Sequence, residues 1–148
     1  AELYLYKDEG KWKEGLKLTR GLQRRYPEAM LLVQHEGYFL LRLGRYRQAL
    51  EKFNQVLEED PLNGAVRLYY GITLYKMGRI IPATGQFWAC VHLDSSPEYK
   101  AHAHFFLGQA ALLSGDGDLA KRHWERAVEI YPDSRRAKDA LKEMESGK

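Results

Sequence analysis

The chain contains a single cysteine, Cys90, among 148 residues, and it has no long uninterrupted apolar run. One cysteine cannot form an internal disulfide, so the fold has to be held by packing. No stretch reaches the roughly 20 apolar residues that a membrane-spanning helix needs. The composition is 45% hydrophobic and 29% charged, which is typical of a globular domain and not of a disordered chain.

The chain also has little excess of either charge. Its 23 basic residues are nearly matched by 20 acidic ones, giving a net charge of +3. This balance argues against a polybasic arm for nucleic acid. The sequence shows no signal-peptide pattern, so we expect a cytoplasmic protein, although a mature domain cut from a longer precursor would look the same.

Motifs for catalysis and metal binding are missing as well. There is no P-loop, no dinucleotide fingerprint and no nucleophile motif. His102 and His104 lie two residues apart, which on a helix points them in different directions, and His35, His92 and His123 fall in other segments. We therefore expect no enzyme, no catalytic residues, no metal and no cofactor.

What the chain does have is an internal repeat. Gly44, Gly78 and Gly115 are separated by 34 and 37 residues. Three further sets share these separations: Gly37, Gly71 and Gly108; Ala49, Ala83 and Ala120; Phe53, Phe87 and Trp124. Within each unit, apolar residues recur every three to four positions on both sides of the central glycine, which predicts two amphipathic helices.

The glycines have two predicted roles in each unit. Gly44 ends the first helix, because a left-handed backbone is favourable only for glycine. Gly37 lets a neighbouring helix approach its backbone closely. A single hairpin cannot bury its own apolar stripes, so successive units have to stack.

The stretch "LGQAALLSGDGDLAKRHWERAVEIYP", with its counterparts earlier in the chain, resembles the tetratricopeptide repeat family. The resemblance implies an all-α fold, a right-handed superhelical solenoid of antiparallel helix hairpins. It would form a single domain over 1–148, with a partial repeat at 1–27, repeats at 30–63, 64–97 and 101–134, and a capping helix at 135–148. Three extra residues before the last repeat predict a longer first helix there, with Ser96 as N-cap and Pro97 at the first helical position.

The resemblance also implies a concave groove lined by the first helix of each hairpin, where a partner would bind. The matching positions are Gln34, Tyr38 and Arg42; Leu68, Ile72, Tyr75 and Lys76; and His102, Phe105 and Gln109. Family members that hold the carboxylate of chaperone tails use a basic residue and asparagines at these sites, and this chain lacks that set. We therefore predict a non-catalytic scaffold or adaptor that binds an amphipathic helix or extended peptide through apolar anchors.

A second surface is predicted on the following helix. Ile81, Gly85 and Trp88 are spaced i, i+4 and i+7, so they would share an outward stripe and form a docking patch. The alternative is that Trp88 folds against the next hairpin. Glu36 occupies a core position, so we expect a basic partner, with Arg67 as one candidate, or partial exposure.

Two other functions remain open at this stage. The protein could associate with nucleic acid or a ribonucleoprotein through arginines near its ends, or those arginines could simply be solvated helix faces. They are Arg20, Arg24, Arg25, Arg135 and Arg136. The chain could also be an accessory domain of a larger enzyme or secretion assembly.

Overall fold

The computed structural model describes residues 10–93 and 95–147, and every regular element in that part of the chain is a helix. The eight helices are α1 (Trp12–Arg25), α2 (Met30–Arg42), α3 (Tyr46–Glu59), α4 (Gly64–Lys76), α5 (Ile80–His92), α6 (Pro97–Leu113), α7 (Gly117–Ile130) and α8 (Arg135–Ser146). They pack as sequential hairpins, so the predicted all-α fold class is confirmed.

Side-chain caps fix where three of these helices begin. Ser96 Oγ accepts a hydrogen bond from the backbone N–H of Tyr99 at 3.3 Å, and Pro97 opens α6. Asn63 caps α4 and Asp116 caps α7 in the same way. The cap confirms the predicted start of the longest helix, which has 17 residues against 13 in α2 and α4.

The turns within the hairpins depend on glycine in a left-handed conformation. Gly44 has φ of 78°, and the following N–H, that of Arg45, donates to the carbonyl of Leu40 at 2.9 Å. Gly78 and Gly115 have φ of 81° and 86° and are followed by equivalent bonds. Each glycine therefore closes a Schellman motif that ends the first helix and reverses the chain.

The chain forms two compact units. The first contains residues 1–62, and within it α2 packs against both α1 and α3. The second contains residues 63–148, where each helix from α4 to α8 packs against the next one along the chain. In the second unit, α6 also contacts α4, which places the first helices of two successive hairpins side by side.

The first and second helices of each hairpin meet at a glycine and an aromatic ring. A Cβ atom at Gly37 would lie 2.6 Å from Cε1 of Phe53, and one at Gly71 would lie 2.7 Å from Cε1 of Phe87. A Cβ at Gly108 would overlap the indole of Trp124. The recurring glycines are thus needed for space, because an aromatic ring of the partner helix rests on the backbone of the first helix.

This packing predicts opposite effects for two Gly→Ala changes. Gly71→Ala should lower the free energy of unfolding by about 1–3 kcal/mol, since the buried Phe87 ring is stacked on Phe106 and cannot easily yield. Gly85→Ala should raise it by about 0.5–1 kcal/mol, since this helical glycine has open space around it. Urea unfolding of both variants measures these changes in the free energy of unfolding. Equal changes for the two variants would contradict the packing described.

Candidate functional site

In the second unit, five of the predicted contact residues remain accessible on α4 and α6. Lys76 is exposed, and the other four are half-buried. We call this set the α4–α6 face: Ile72, Tyr75, Lys76, His102 and Gln109. The Tyr75 ring meets Phe106 of α6 edge-on, with 5.4 Å between centroids, and burial raises the pKa of its phenol. Tyr75 is therefore an aromatic group fixed from behind by the core and still partly open to solvent.

Two predicted contact residues are buried, and the prediction is wrong for them. Leu68 is 0% exposed and Phe105 is 8% exposed. The Phe105 ring packs edge-on against Phe106 and lies 5.9 Å from the guanidinium of Arg136 on α8. The physical reason is that α4 and α6 pack against each other as well as against the second helices of their own hairpins, so neither side chain can offer a surface to a partner.

In the first unit, the predicted residues on α2 form a patch with a tryptophan from α1. We call Gln34, Tyr38 and Arg42 the α2 patch. The Arg42 guanidinium lies 4.4 Å from the ring centroid of Trp12, and Trp12 meets Tyr38 edge-on at 6.1 Å. Trp12 was not among the predicted contact residues, although it stands one repeat before Tyr46 and its aromatic character was the available signal.

The predicted second surface, which we call the outer patch, consists of Ile81, Gly85 and Trp88 on α5. Ile81 is 84% exposed, and a Cβ at Gly85 would meet nothing within 4 Å. Trp88 is 43% exposed, and its other side meets His123 edge-on at 5.5 Å. Trp88 thus does both things considered from the sequence: it packs on the following hairpin and also presents surface.

Beneath Trp88 lies a buried pair of histidines that the sequence did not reveal. The Nδ1 atoms of His104 on α6 and His123 on α7 are 3.1 Å apart, so one imidazole donates and the other accepts. Burial lowers the pKa of His104 to about 4, and the positive charges of His123, Arg126 and His92 add to this. Burial also lowers the pKa of His123, and the positive charge of Arg122 lowers it further. The folded protein therefore favours the uncharged pair.

The signal that could have found this pair is the separation of 19 residues. Trp124 Nε1 donates to the carbonyl of Phe105, and Arg67 donates to Gln86 Oε1, over the same separation. Residues 19 apart therefore face each other across a hairpin. Inspection of His102 and His104 within one helix could not show this relation.

Glu36 has the basic partners expected for a buried carboxylate. Its Oε2 lies 3.2 Å from Arg20 Nε, and its Oε1 lies 3.5 Å from Lys52 Nζ. Gln23 also donates to Oε1 at 3.0 Å. These groups compensate the cost of burying the charge, so Glu36 ties α1, α2 and α3 together. Arg67, the candidate named from the sequence, donates to Gln86.

The described residues offer little chemistry for catalysis. Within 10–93 and 95–147, no three histidine, cysteine or acidic side chains come together as metal ligands would. No helix in that range has the length and apolar character required to cross a membrane. Cys90 is buried, and burial raises the pKa of its thiol, which disfavours the reactive thiolate.

Comparison with known proteins places this fold in a family. Two tetratricopeptide repeat models match residues 40–83 and 101–134. The chain belongs to the tetratricopeptide repeat family. It is 32% identical over 96 residues to the photosystem I assembly protein Ycf3 of Synechococcus elongatus, covering 60% of this chain and 55% of that protein. It is 29% identical over 131 residues to human tetratricopeptide repeat protein 33, covering 84% of this chain and 47% of that protein. The chain thus spans about half the length of these curated relatives.

Solved structures share the same fold. YrrB, described as a TPR protein with an unusual peptide-binding site, has a TM-score of 0.74 and 24% identity, with 95% of this chain and 71% of YrrB covered. The first TPR domain of Spaghetti (RPAP3), solved with an HSP90 peptide, has a TM-score of 0.69 and 19% identity, with 80% of this chain and 91% of that domain covered. These likenesses establish the fold alone.

The histidine pair predicts a specific loss of stability in acid. Because the folded-state pKa of His104 lies near 4, below its ordinary 6.5, the unfolded chain takes up a proton between these pH values that the folded chain does not. The stabilisation is present above pH 6.5 and is lost as the pH falls toward 4, by about 2 kcal/mol between pH 7 and 4.5. Urea unfolding at both pH values should show a smaller acid loss for His104→Gln than for the parent. An identical loss would contradict the assignment.

Proposed function

We propose that the protein is a non-catalytic scaffold that binds a segment of a partner protein on the α4–α6 face. The observation that carries this proposal is the position of Tyr75, whose ring is held edge-on against Phe106 while part of it faces solvent. A tyrosine suits a contact surface, because its ring contributes apolar area while its hydroxyl stays hydrated. A ring fixed before binding also loses little conformational entropy when a ligand covers it.

The neighbours of Tyr75 indicate the chemistry of the ligand. Ile72 lies one turn before it on α4 and is half-buried, and Lys76 follows it and is exposed. On α6, Gln109 adds a group that can donate and accept hydrogen bonds. A peptide that places an apolar side chain against Tyr75 and Ile72, with a carboxylate near Lys76, would satisfy this face.

Two structural relatives support this class of function. YrrB is described as having a peptide-binding site, and the Spaghetti (RPAP3) domain was solved with an HSP90 peptide. Both family models that match residues 40–83 and 101–134 describe a repeat module. The groups at this face differ from those of a carboxylate clamp, so the proposed ligand is recognised mainly by its apolar side chains.

The outer patch is a second candidate surface for a partner. It is favoured by the exposure of Ile81 and of nearly half of Trp88 on one side of α5. Trp88 is held in place by His104 and His123, so this patch too has a preformed aromatic anchor. The two surfaces make different predictions for single substitutions.

The test begins with a peptide selected from a displayed library by the full chain. Its affinity for variants is then measured by fluorescence anisotropy. Tyr75→Ala should weaken binding by at least ~2 kcal/mol, about 30-fold, because aromatic anchors dominate such contacts. Tyr26→Ala removes a similar ring, 54% exposed and far from α4 in sequence, and should change affinity less than twofold. Melting temperatures of both variants establish that the fold is intact.

The same measurement separates the candidate surfaces. If Trp88→Ala abolishes binding while Tyr75→Ala has no effect, the α4–α6 face is not the site and the outer patch is. Lys76→Ala should have a smaller effect than Tyr75→Ala, and this effect should fade at high salt, because exposed charges are screened.

A further inference from the structure

The first unit contains a basic depression that the proposed function does not use. It has a volume of about 480 Å³ and lies between one face of α1 and the turn that joins α2 to α3. We call it the basic cleft. Its lining residues are Lys13, Leu16, Lys17, Arg20, Gly21, Arg24, Leu43 and Arg45. Five of these eight are cations, and none is acidic or aromatic.

The cations of α1 form one continuous row. Lys13, Lys17, Arg20 and Arg24 follow each other at intervals of four, three and four residues, which places them on a single face of the helix. At 1.5 Å per residue the row is roughly 16 Å long. Arg45, at the N-cap of α3, adds a fifth cation from the turn after α2.

Within residues 10–93 and 95–147, most of these cations form no ion pair. Arg20 pairs with the buried Glu36, but Glu36 does not line the cleft and is also shared with Lys52. Among the described residues, no ion pair is formed by Lys13, Lys17, Arg24 or Arg45. Four like charges around a concave surface produce a focused positive potential, which an anionic ligand would neutralise.

The other lining residues indicate which class of anion would bind in the cleft. The half-buried Leu43, with the buried Leu16 beside it, gives the cleft an apolar part between its cations, which a phosphate backbone would not use. Single-stranded nucleic acid is usually held by aromatic side chains on which its bases stack, and the lining has none. Carboxylates on successive turns of a helix recur at the same interval as the α1 cations, about 5.4 Å. An acidic helical peptide with one apolar side chain would match the positive charge of the cleft, the interval between its cations and its apolar lining.

We propose that the basic cleft binds an acidic, amphipathic segment of a partner protein. This site is separate from the α4–α6 face, since every residue that forms it lies in the first unit. Lys17 and Arg24 contribute through charge, while the half-buried Leu43 contacts the apolar side chain.

The test uses two labelled probes and the full chain. The first is a 15-residue peptide with glutamate on successive turns of one helical face and a single leucine between them. The second is an oligothymidylate of the same length. Fluorescence anisotropy at about 50 mM salt gives the affinity of each. We expect the peptide to bind more tightly than the oligonucleotide, and we expect replacement of its leucine by serine to weaken binding severalfold.

Matched charge reversals locate the site. Lys17→Glu/Arg24→Glu should weaken peptide binding at least tenfold. Lys138→Glu/Lys142→Glu makes the same change in net charge on the exposed face of α8 and should leave binding within twofold. The neutral pair Lys17→Gln/Arg24→Gln should be intermediate, and it serves if the reversal impairs folding. Equal losses in the cleft and control variants would overturn the proposal. Tighter, cleft-dependent binding of the oligonucleotide would overturn it in favour of nucleic acid.

Discussion

The contact between a glycine on one helix and an aromatic ring on the next holds each hairpin together. Phe53 rests on the backbone at Gly37, and Phe87 does the same at Gly71. In each hairpin the two helix axes can approach closely only because the glycine has no Cβ. This close approach fixes the relative register of the helices, and the Schellman turn at Gly44 fixes the direction in which the chain returns.

That register decides which side chains meet and which stay accessible. In the second unit it brings residues 19 apart into contact, so His104 meets His123 and Trp88 lies above them. The packing of α6 on α4, the first helices of successive hairpins, places Phe106 behind Tyr75, so that one side of the Tyr75 ring is buried and the other is accessible. The candidate binding surfaces thus follow from how the hairpins close and from how successive hairpins pack.

The helices and turns could be predicted from sequence because they depend on local signals: Ser96 with Pro97, and glycine at Gly44. The candidate site was harder to predict from the sequence. Aligning the repeats shows which face of a helix a residue occupies, but it does not show how exposed that residue is. Leu68 and Phe105 occupy predicted contact positions and are buried. The histidine pair and the basic cleft join side chains from different helices, and only three-dimensional packing brings them together. Glu36 could be predicted in part. The cost of burying a carboxylate predicted that it has a basic partner, but the sequence did not identify Arg20 as that partner.

The most direct test of the account is a double-mutant cycle at Gly37 and Phe53, measured by urea unfolding. Gly37→Ala places a methyl group against the Phe53 ring, and Phe53→Leu removes the part of the ring that it would strike. If the glycine is needed for that ring, Gly37→Ala should cost at least about 1 kcal/mol less in the Phe53→Leu background than in the parent. Additive effects, within about 0.3 kcal/mol, would contradict the claim that this contact sets the hairpin geometry.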